Sequence, residues 1–230
     1  MRETPKVKVL DIELRERGVS LRLPFKFGVV TLTEAPQAFC RVRLQLDEGS
    51  ESVGFAAELM VPKWFDKNEA LSNGDNFNQL RQSLDLAKHA YLAAGFDTPF
   101  GLMDHSYQAH QKQANTLGLN PLVAGFGLAL LDRAVLDAVC HAKEILFSKF
   151  IKGNIPGITP SSNVADLSAA EIDGCLDSLI FQNRIHARHT AGMLDPLTTT
   201  DQAPDDRIDD GLPESFEKII DVYGHRYFKI

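Results

Sequence analysis

The sequence predicts an α+β fold: an antiparallel β-meander, then a helical bundle, then a strand–helix–strand unit. Three observations carry it. Apolar residues recur at every second position between Lys6 and Asp47, they recur at helical spacing between Phe77 and Lys143, and the pattern from Asn183 onward reads as strand, helix, strand.

In the first segment Leu10, Ile12 and Leu14 alternate with Asp11 and Glu13, then Val19, Leu21, Leu23, Phe25 and Phe27 with Ser20, Arg22 and Lys26. Val42, Leu44 and Leu46 then alternate with Arg41, Arg43 and Gln45. Turn signals at Glu16-Arg17-Gly18 and Asp47-Glu48-Gly49-Ser50 divide these runs into antiparallel strands with one wet face. Between the second and third runs, Pro24 to Gly28 reads as a loop with Phe25 and Phe27 around Lys26, followed by a polar stretch from Thr31 to Gln37. Its aromatics either pack on the sheet or await a ligand. A short fourth strand near Val53 to Ala57 leads into Glu58 to Lys67, a Pro-broken loop with the single tryptophan, Trp64. There too the large side chains either anchor the loop or meet a ligand.

The helical period begins with Phe77, Leu80, Leu84, Leu86, Ala87, Ala90 and Tyr91, and that helix stops near Gly95; a second runs from Phe100 to about Thr116. Asn120 to Lys143 is the longest and most apolar pattern, with Asn120 as N-cap and Pro121 at the first helical position. Gly125 and Gly127 each cost about 1 kcal/mol of helix propensity, which predicts another backbone packed closely against both. Arg133, Asp137, His141 and Glu144 draw one polar stripe down its second half. Asp132 and Arg133 interrupt the apolar run before the roughly 18 residues that a membrane span needs.

Lys152 to Pro160 reads as a linker by its Gly and Pro content. Ser168 to Glu171 is a capping box that opens a helix through Leu179, Asn183 to Met193 reads as a strand, and Asp195 to Asp210 as a polar loop. A helix follows with Pro213 at its start, Phe216, Ile219, Ile220 and Val222 on its apolar face and Gly224 at its end. His225 to Ile230 is then a strand, parallel to the earlier one.

The 230 residues are 44% hydrophobic and 24% charged, an ordinary globular balance, and the formal charge of −7 with dispersed Lys and Arg argues against nucleic acid. An anionic small substrate would therefore need a local cation or a metal. Cys40, Cys140 and Cys175 are far apart and outside metal-ligand spacing, so disulfides and zinc are not expected, and a reducing cytoplasm fits. The charged N-terminus has no apolar stretch behind it and reads as no secretion signal. His105 and His110, five apart, read as surface or capping residues; His186 and His189 on a strand would face opposite sides; Asp201, Asp205, Asp206, Asp209 and Asp210 read as a solvated acidic loop. No metal-ligand set emerges.

Four segments in order, the Pro24-Phe25-Lys26-Phe27-Gly28 loop, Gly54-Phe55-Ala56-Ala57-Glu58, Asp132 to Ala138, and Gly211-Leu212-Pro213-Glu214 leading to Tyr227-Phe228-Lys229-Ile230, resemble the enolase superfamily in its mandelate racemase and muconate lactonizing branch. The resemblance implies a capping domain over residues 1–150 and, from 151 to 230, a linker and the beginning of a TIM-like (β/α) barrel. It implies a lyase or isomerase that takes a proton from the carbon next to a carboxylate, a dehydratase, racemase or cycloisomerase of a sugar acid or similar acid, with Mg²⁺ on the resulting enediolate.

In that family the second barrel strand carries a Lys-x-Lys pair. Lys229 matches the first lysine, the catalytic candidate, and Ile230 the middle position. The acid/base lysine and the carboxylate metal ligands would fall beyond this sequence, so the chain alone is expected to be inactive, with residues 1–150 folding by themselves. Substrate contacts are expected from the capping loops, at Phe25, Lys26, Phe27, Glu58, Lys63 and Trp64, and from His189 and Thr190 at the end of the first barrel strand. The partners implied are a small carboxylate and further copies of the chain, with no membrane or nucleic acid. The rival reading is a non-enzymatic binding or interaction module with the capping-domain fold.

Overall fold

The protein was analysed as a computed structural model, which describes residues 4–229; Ile230, expected at the middle of the lysine pair, lies outside the described residues. The chain forms two compact units. The first holds the residues through Gly18 together with Pro36–Phe181, and the second holds Val19–Ala35 together with the residues from Gln182 on.

Three strands, β1 (Val7–Phe27), β2 (Val30–Leu46) and β3 (Glu51–Leu59), make a sheet in the order β1-β2-β3, with β2 and β3 antiparallel from Gln37↔Leu59 to Gln45↔Glu51. This is the expected meander with two corrections. The chain does not turn at Glu16-Arg17-Gly18, because β1 continues through it. Thr31 to Gln37 is strand and not loop, so Phe25, Lys26 and Phe27 end a strand beside the tight turn where Gly28 takes φ +52°. Alternation alone cannot tell a turn from a strand that carries a glycine and charged residues in solvent.

Helices α1 (Asn73–Ala93), α2 (Pro99–Thr116) and α3 (Pro121–Ala142) follow. Ser72 and Asp75 close a capping box on α1, Thr98 caps α2, and the Asn120 side chain accepts from the Leu122 and Val123 amides. The core lies between sheet and helices: Val42, Leu44 and Leu46 from β2 meet Leu80, Leu84, Leu130, Leu131 and Val135, all buried. His110, expected on the surface, is buried on α2 with Nε2 2.7 Å from the Ala124 carbonyl, and burial lowers its pKa. His105 is exposed, as expected, and lies 2.6 Å from Asp97.

α3 docks on β3 through bare backbone. A Cβ at Gly54 would lie 2.1 Å from the Ala134 carbonyl oxygen and 2.3 Å from the Ala138 nitrogen. One of the two helix glycines has the expected close neighbour: at Gly127 a Cβ would meet the Ser83 carbonyl of α1 at 2.2 Å, whereas Gly125 has nothing within 4 Å. The polar stripe of α3 serves the free edge of β3. Asp137 accepts the Phe55 amide at 2.8 Å, the His141 ring lies 3.0 Å from the Val53 carbonyl, Ser52 donates to the Ala138 carbonyl at 2.8 Å, and Arg133 pairs with Glu58 at 3.0 Å. Asp137 and His141 also approach each other within the helix, at 3.7 Å.

The segment read as a linker packs on the first unit. After α4 (Phe147–Lys152) the Pro156 carbonyl accepts the Phe100 amide at 2.9 Å, and α5 (Ala169–Ser178) starts at the Ser168–Glu171 capping box. In the second unit β4 (Arg188–Thr190) is much shorter than the strand expected from Asn183 to Met193, and it pairs in parallel with β5 (Tyr227–Lys229). Between them α6 (Phe216–Tyr223) begins at the cap Ser215 and not at Pro213; it ends at Gly224, which takes φ +65°. Among the described residues no helix is long and apolar enough to cross a membrane.

Two outcomes follow from this packing. Gly54→Ala and Gly127→Ala force backbones apart and should each cost about 1–3 kcal/mol in urea unfolding, while Gly125→Ala should gain up to about 1 kcal/mol. Burial, partly offset by the Arg133 charge, pushes the Asp132 carboxyl up to about 6. Because the folded state holds that proton more tightly than the unfolded chain, the wild type should lose up to about 3 kcal/mol relative to Asp132→Asn as pH rises from about 4 to about 6, with no further loss above.

Candidate functional site

The second unit holds six of the expected site residues, Phe25, Lys26, Phe27, His189, Thr190 and Lys229. In the parallel register Arg188 pairs with Tyr227, His189 with Phe228 and Thr190 with Lys229. The His189 ring stands edge-on to Phe216 of α6 at 5.3 Å and to Phe228 at 6.3 Å, so this face of the strand pair belongs to the helix. Neighbouring residues on a strand point to opposite faces, which puts Thr190 and Lys229 side by side on the face away from α6.

The chain leaves β4 straight toward the hairpin tip. The Ala191 amide donates to the Lys229 carbonyl at 2.8 Å, and the Met193 amide to the Lys26 carbonyl at 2.9 Å. Gly192 is needed between them, since a Cβ there would press to 3.1 Å from the Phe25 ring and 2.6 Å from Asp195. Phe25 and Phe27 keep their ring centroids 5.7 Å apart. Backbone hydrogen bonds thus join the hairpin tip that carries Phe25, Lys26 and Phe27 to the strand pair that carries Thr190 and Lys229. His189 lies on the other side, with Nε2 buried and unpaired.

Arg22, which reads from the sequence as the wet half of a strand, ties β1 to the loop before α6. Its guanidinium grips Asp210 through Nε and Nη2 at 2.6 and 2.5 Å and also donates to the Pro213 and Leu212 carbonyls at 3.0 and 3.1 Å. The hydrogen-bonded arginine holds the Asp210 carboxyl down at about 2, and Asp210 in turn raises Arg22. Glu214 braces the same loop by accepting the Ile208 and Asp209 amides and the Gln202 side chain, and these bonds lower its pKa. A lone arginine in a strand and a distant acidic loop were visible separately in the sequence; nothing in their spacing joins them.

The other three expected contacts lie in the first unit, where each side chain has a place. Glu58 is the partner of Arg133. Lys63 stands at φ +59° and its ammonium reaches back to the Asn68 carbonyl at 2.8 Å and to the Leu71 carbonyl, bracing its own loop. Phe65 packs edge-on against Phe126 at 5.2 Å, while Trp64, expected either to anchor or to bind, is 53% exposed.

No group of three His, Cys, Asp or Glu side chains that could hold a metal ion occurs among the described residues. In the second unit Asp195 is taken up by the Gly192 amide at 2.8 Å and Asp210 by Arg22. The described donors thus do not fit a Mg²⁺ site.

No protein-family model matches the chain, and no curated protein matches it. Solved structures similar to it are enolase-superfamily proteins of the mandelate racemase and muconate lactonizing type. They include an enolase from Bradyrhizobium complexed with magnesium and mandelic acid, at 17% identity and a TM-score of 0.41. A mandelate racemase/muconate lactonizing enzyme-like protein from Rubrobacter xylanophilus is similar at 10% identity and 0.43, and a dipeptide epimerase from Enterococcus faecalis V583 at 14% and 0.39. The matches cover 63%, 63% and 64% of this chain and 34%, 33% and 34% of those structures, so the chain spans about a third of their length.

Replacing Arg22 should loosen the loop before α6 while sparing the first unit. Arg22→Lys keeps the charge but not the fork, so limited proteolysis is expected to cut between residues 203 and 212 faster in the variant, with cleavage in α1 to α3 unchanged.

Proposed function

We propose that residues 1–150 are the capping domain and residues 151–230 the beginning of the barrel domain of an enolase-superfamily enzyme that takes a proton from the carbon next to a carboxylate. The reaction class is dehydration, racemisation or cycloisomerisation of a sugar acid or similar acid. What supports this reading is the parallel register that sets Thr190 beside Lys229 on the face away from α6, next to the hairpin tip with Phe25, Lys26 and Phe27.

A strand-end lysine suits such chemistry. As the α-proton leaves, negative charge spreads onto the carboxylate oxygens, and a fixed ammonium there is worth more to the transition state than to the substrate. In this reading Lys229 is that cation, Thr190 orients the acid, and Lys26 with its two flanking aromatics selects the substrate. Lys63 and Glu58 would contribute through the shape of their loops, and Trp64 through its exposed ring. Magnesium, present with the Bradyrhizobium enolase and the Enterococcus epimerase, is proposed as the cation of the whole protein, held by residues other than those described here. A homo-oligomer is proposed on the same footing.

A second reading, a non-enzymatic interaction module, draws on the apolar surface of the second unit, where Ile185, Met193, Leu197 and Val222 are 91, 69, 66 and 62% exposed. Exchange of substrate α-protons into D₂O separates the two. In the whole enzyme that this reading implies, with Mg²⁺ and a panel of 2-hydroxy and sugar acids, proton NMR should show exchange that Lys229→Gln slows by about 10²–10³-fold, the usual loss for one transition-state donor, while residues 1–230 alone show none. Exchange at an unchanged rate in the variant, or none by the whole enzyme with any acid, would reject the enzymatic reading.

A further inference from the structure

The first unit contains a cleft that the strand pair at Lys229 does not use. One face of α2 presents Phe100, Met103 and Tyr107, and the chain after α4 returns over it with Ile158, Leu167 and, from α5, Ile172. They enclose about 340 Å³, toward the small end of the roughly 300–1,000 Å³ typical of ligand sites, and the walls are mostly apolar.

The cleft has a single charged wall residue, Asp104, one turn from Phe100 and Tyr107 on the same helix face. Its carboxylate is held in place: Oδ1 accepts the Ser161 hydroxyl and the Asn163 amide, the latter at 2.8 Å, and Asn163 also donates to the Asp104 carbonyl at 3.1 Å. Oδ2 takes no hydrogen bond from a described residue. A fixed carboxylate with one oxygen to spare, beside two aromatic rings and an apolar floor, is complementary to a cation carried on an apolar body.

We propose that this cleft binds a small amphipathic amine, with the ammonium on Asp104 and an aromatic or branched hydrocarbon body against Phe100, Met103 and Tyr107. The charge of the group decides recognition, because an acid of the same shape would bring a second negative charge to Asp104, in a chain that already carries a formal −7. All the residues concerned lie in the first unit, so the site stands or falls independently of the proposed activity.

The test uses the 230-residue protein, with its methionine methyl groups labelled with carbon-13, titrated at pH 7 with 2-phenylethylamine, 3-phenylpropan-1-ol and 3-phenylpropionate. The amine should shift the Met103 methyl resonance and bind at least tenfold more tightly than the alcohol, and the acid should not bind. Asp104→Asn keeps an oxygen for Ser161 and Asn163, and should bring amine and alcohol to similar affinity. Equal binding of all three probes by the wild type, a Met103 resonance that does not move, or an amine preference that survives Asp104→Asn would each overturn the proposal; the first two need no variant.

Discussion

The contact on which the first unit depends is the seating of α3 on β3. Gly54 has no side chain, and the backbone of α3 occupies the space where one would be, at Ala134 and Ala138. That approach brings the polar stripe of the helix to the open edge of the sheet. A sheet edge exposes unpaired amides and carbonyls, and here Asp137 takes the Phe55 amide and His141 meets the Val53 carbonyl. The stripe that looks from sequence like a solvent-facing edge of a core helix is in fact the cover of a strand. Its apolar neighbours, Leu130, Leu131, Val135 and Val139, are buried at the same time.

Much of this fold was legible because it rests on local rules. The caps at Asn120 and Ser168 and the alternation of Val42, Leu44 and Leu46 name their elements without outside help. Where the sequence misled, a tertiary contact outweighed the local signal. Glu16-Arg17-Gly18 has turn composition, yet β1 runs through it, and Glu16 forms a forked ion pair with Arg81 of α1. His110, five residues from His105, reads as a surface or capping residue, but α3 lies over it and offers the Ala124 carbonyl. Gly125 and Gly127 looked alike, and only the path of α1 distinguishes them.

The candidate site was legible only in part, for a related reason. Strand alternation separates His189 from Thr190, but it does not say which face a helix will cover; Phe216 decides that by packing on His189. Arg22 and Asp210 are 188 residues apart, and no periodicity connects them. Lys63, expected as a substrate contact, also spends its ammonium on the Asn68 and Leu71 carbonyls of its own loop, which no local pattern announces. Residues that bind through backbone geometry, such as Gly192 against Phe25, carry no sequence signal beyond a glycine.

Amide hydrogen exchange at Phe55 addresses the α3–β3 contact most directly, because its amide lies on the open side of an edge strand and donates to the Asp137 carboxylate. The account predicts that the Phe55 amide is protected as strongly as the amides of β2, and that Asp137→Ala reduces this protection selectively while those of β2 stay slow. Free exchange of Phe55 in the wild type, or protection that survives Asp137→Ala, would contradict it.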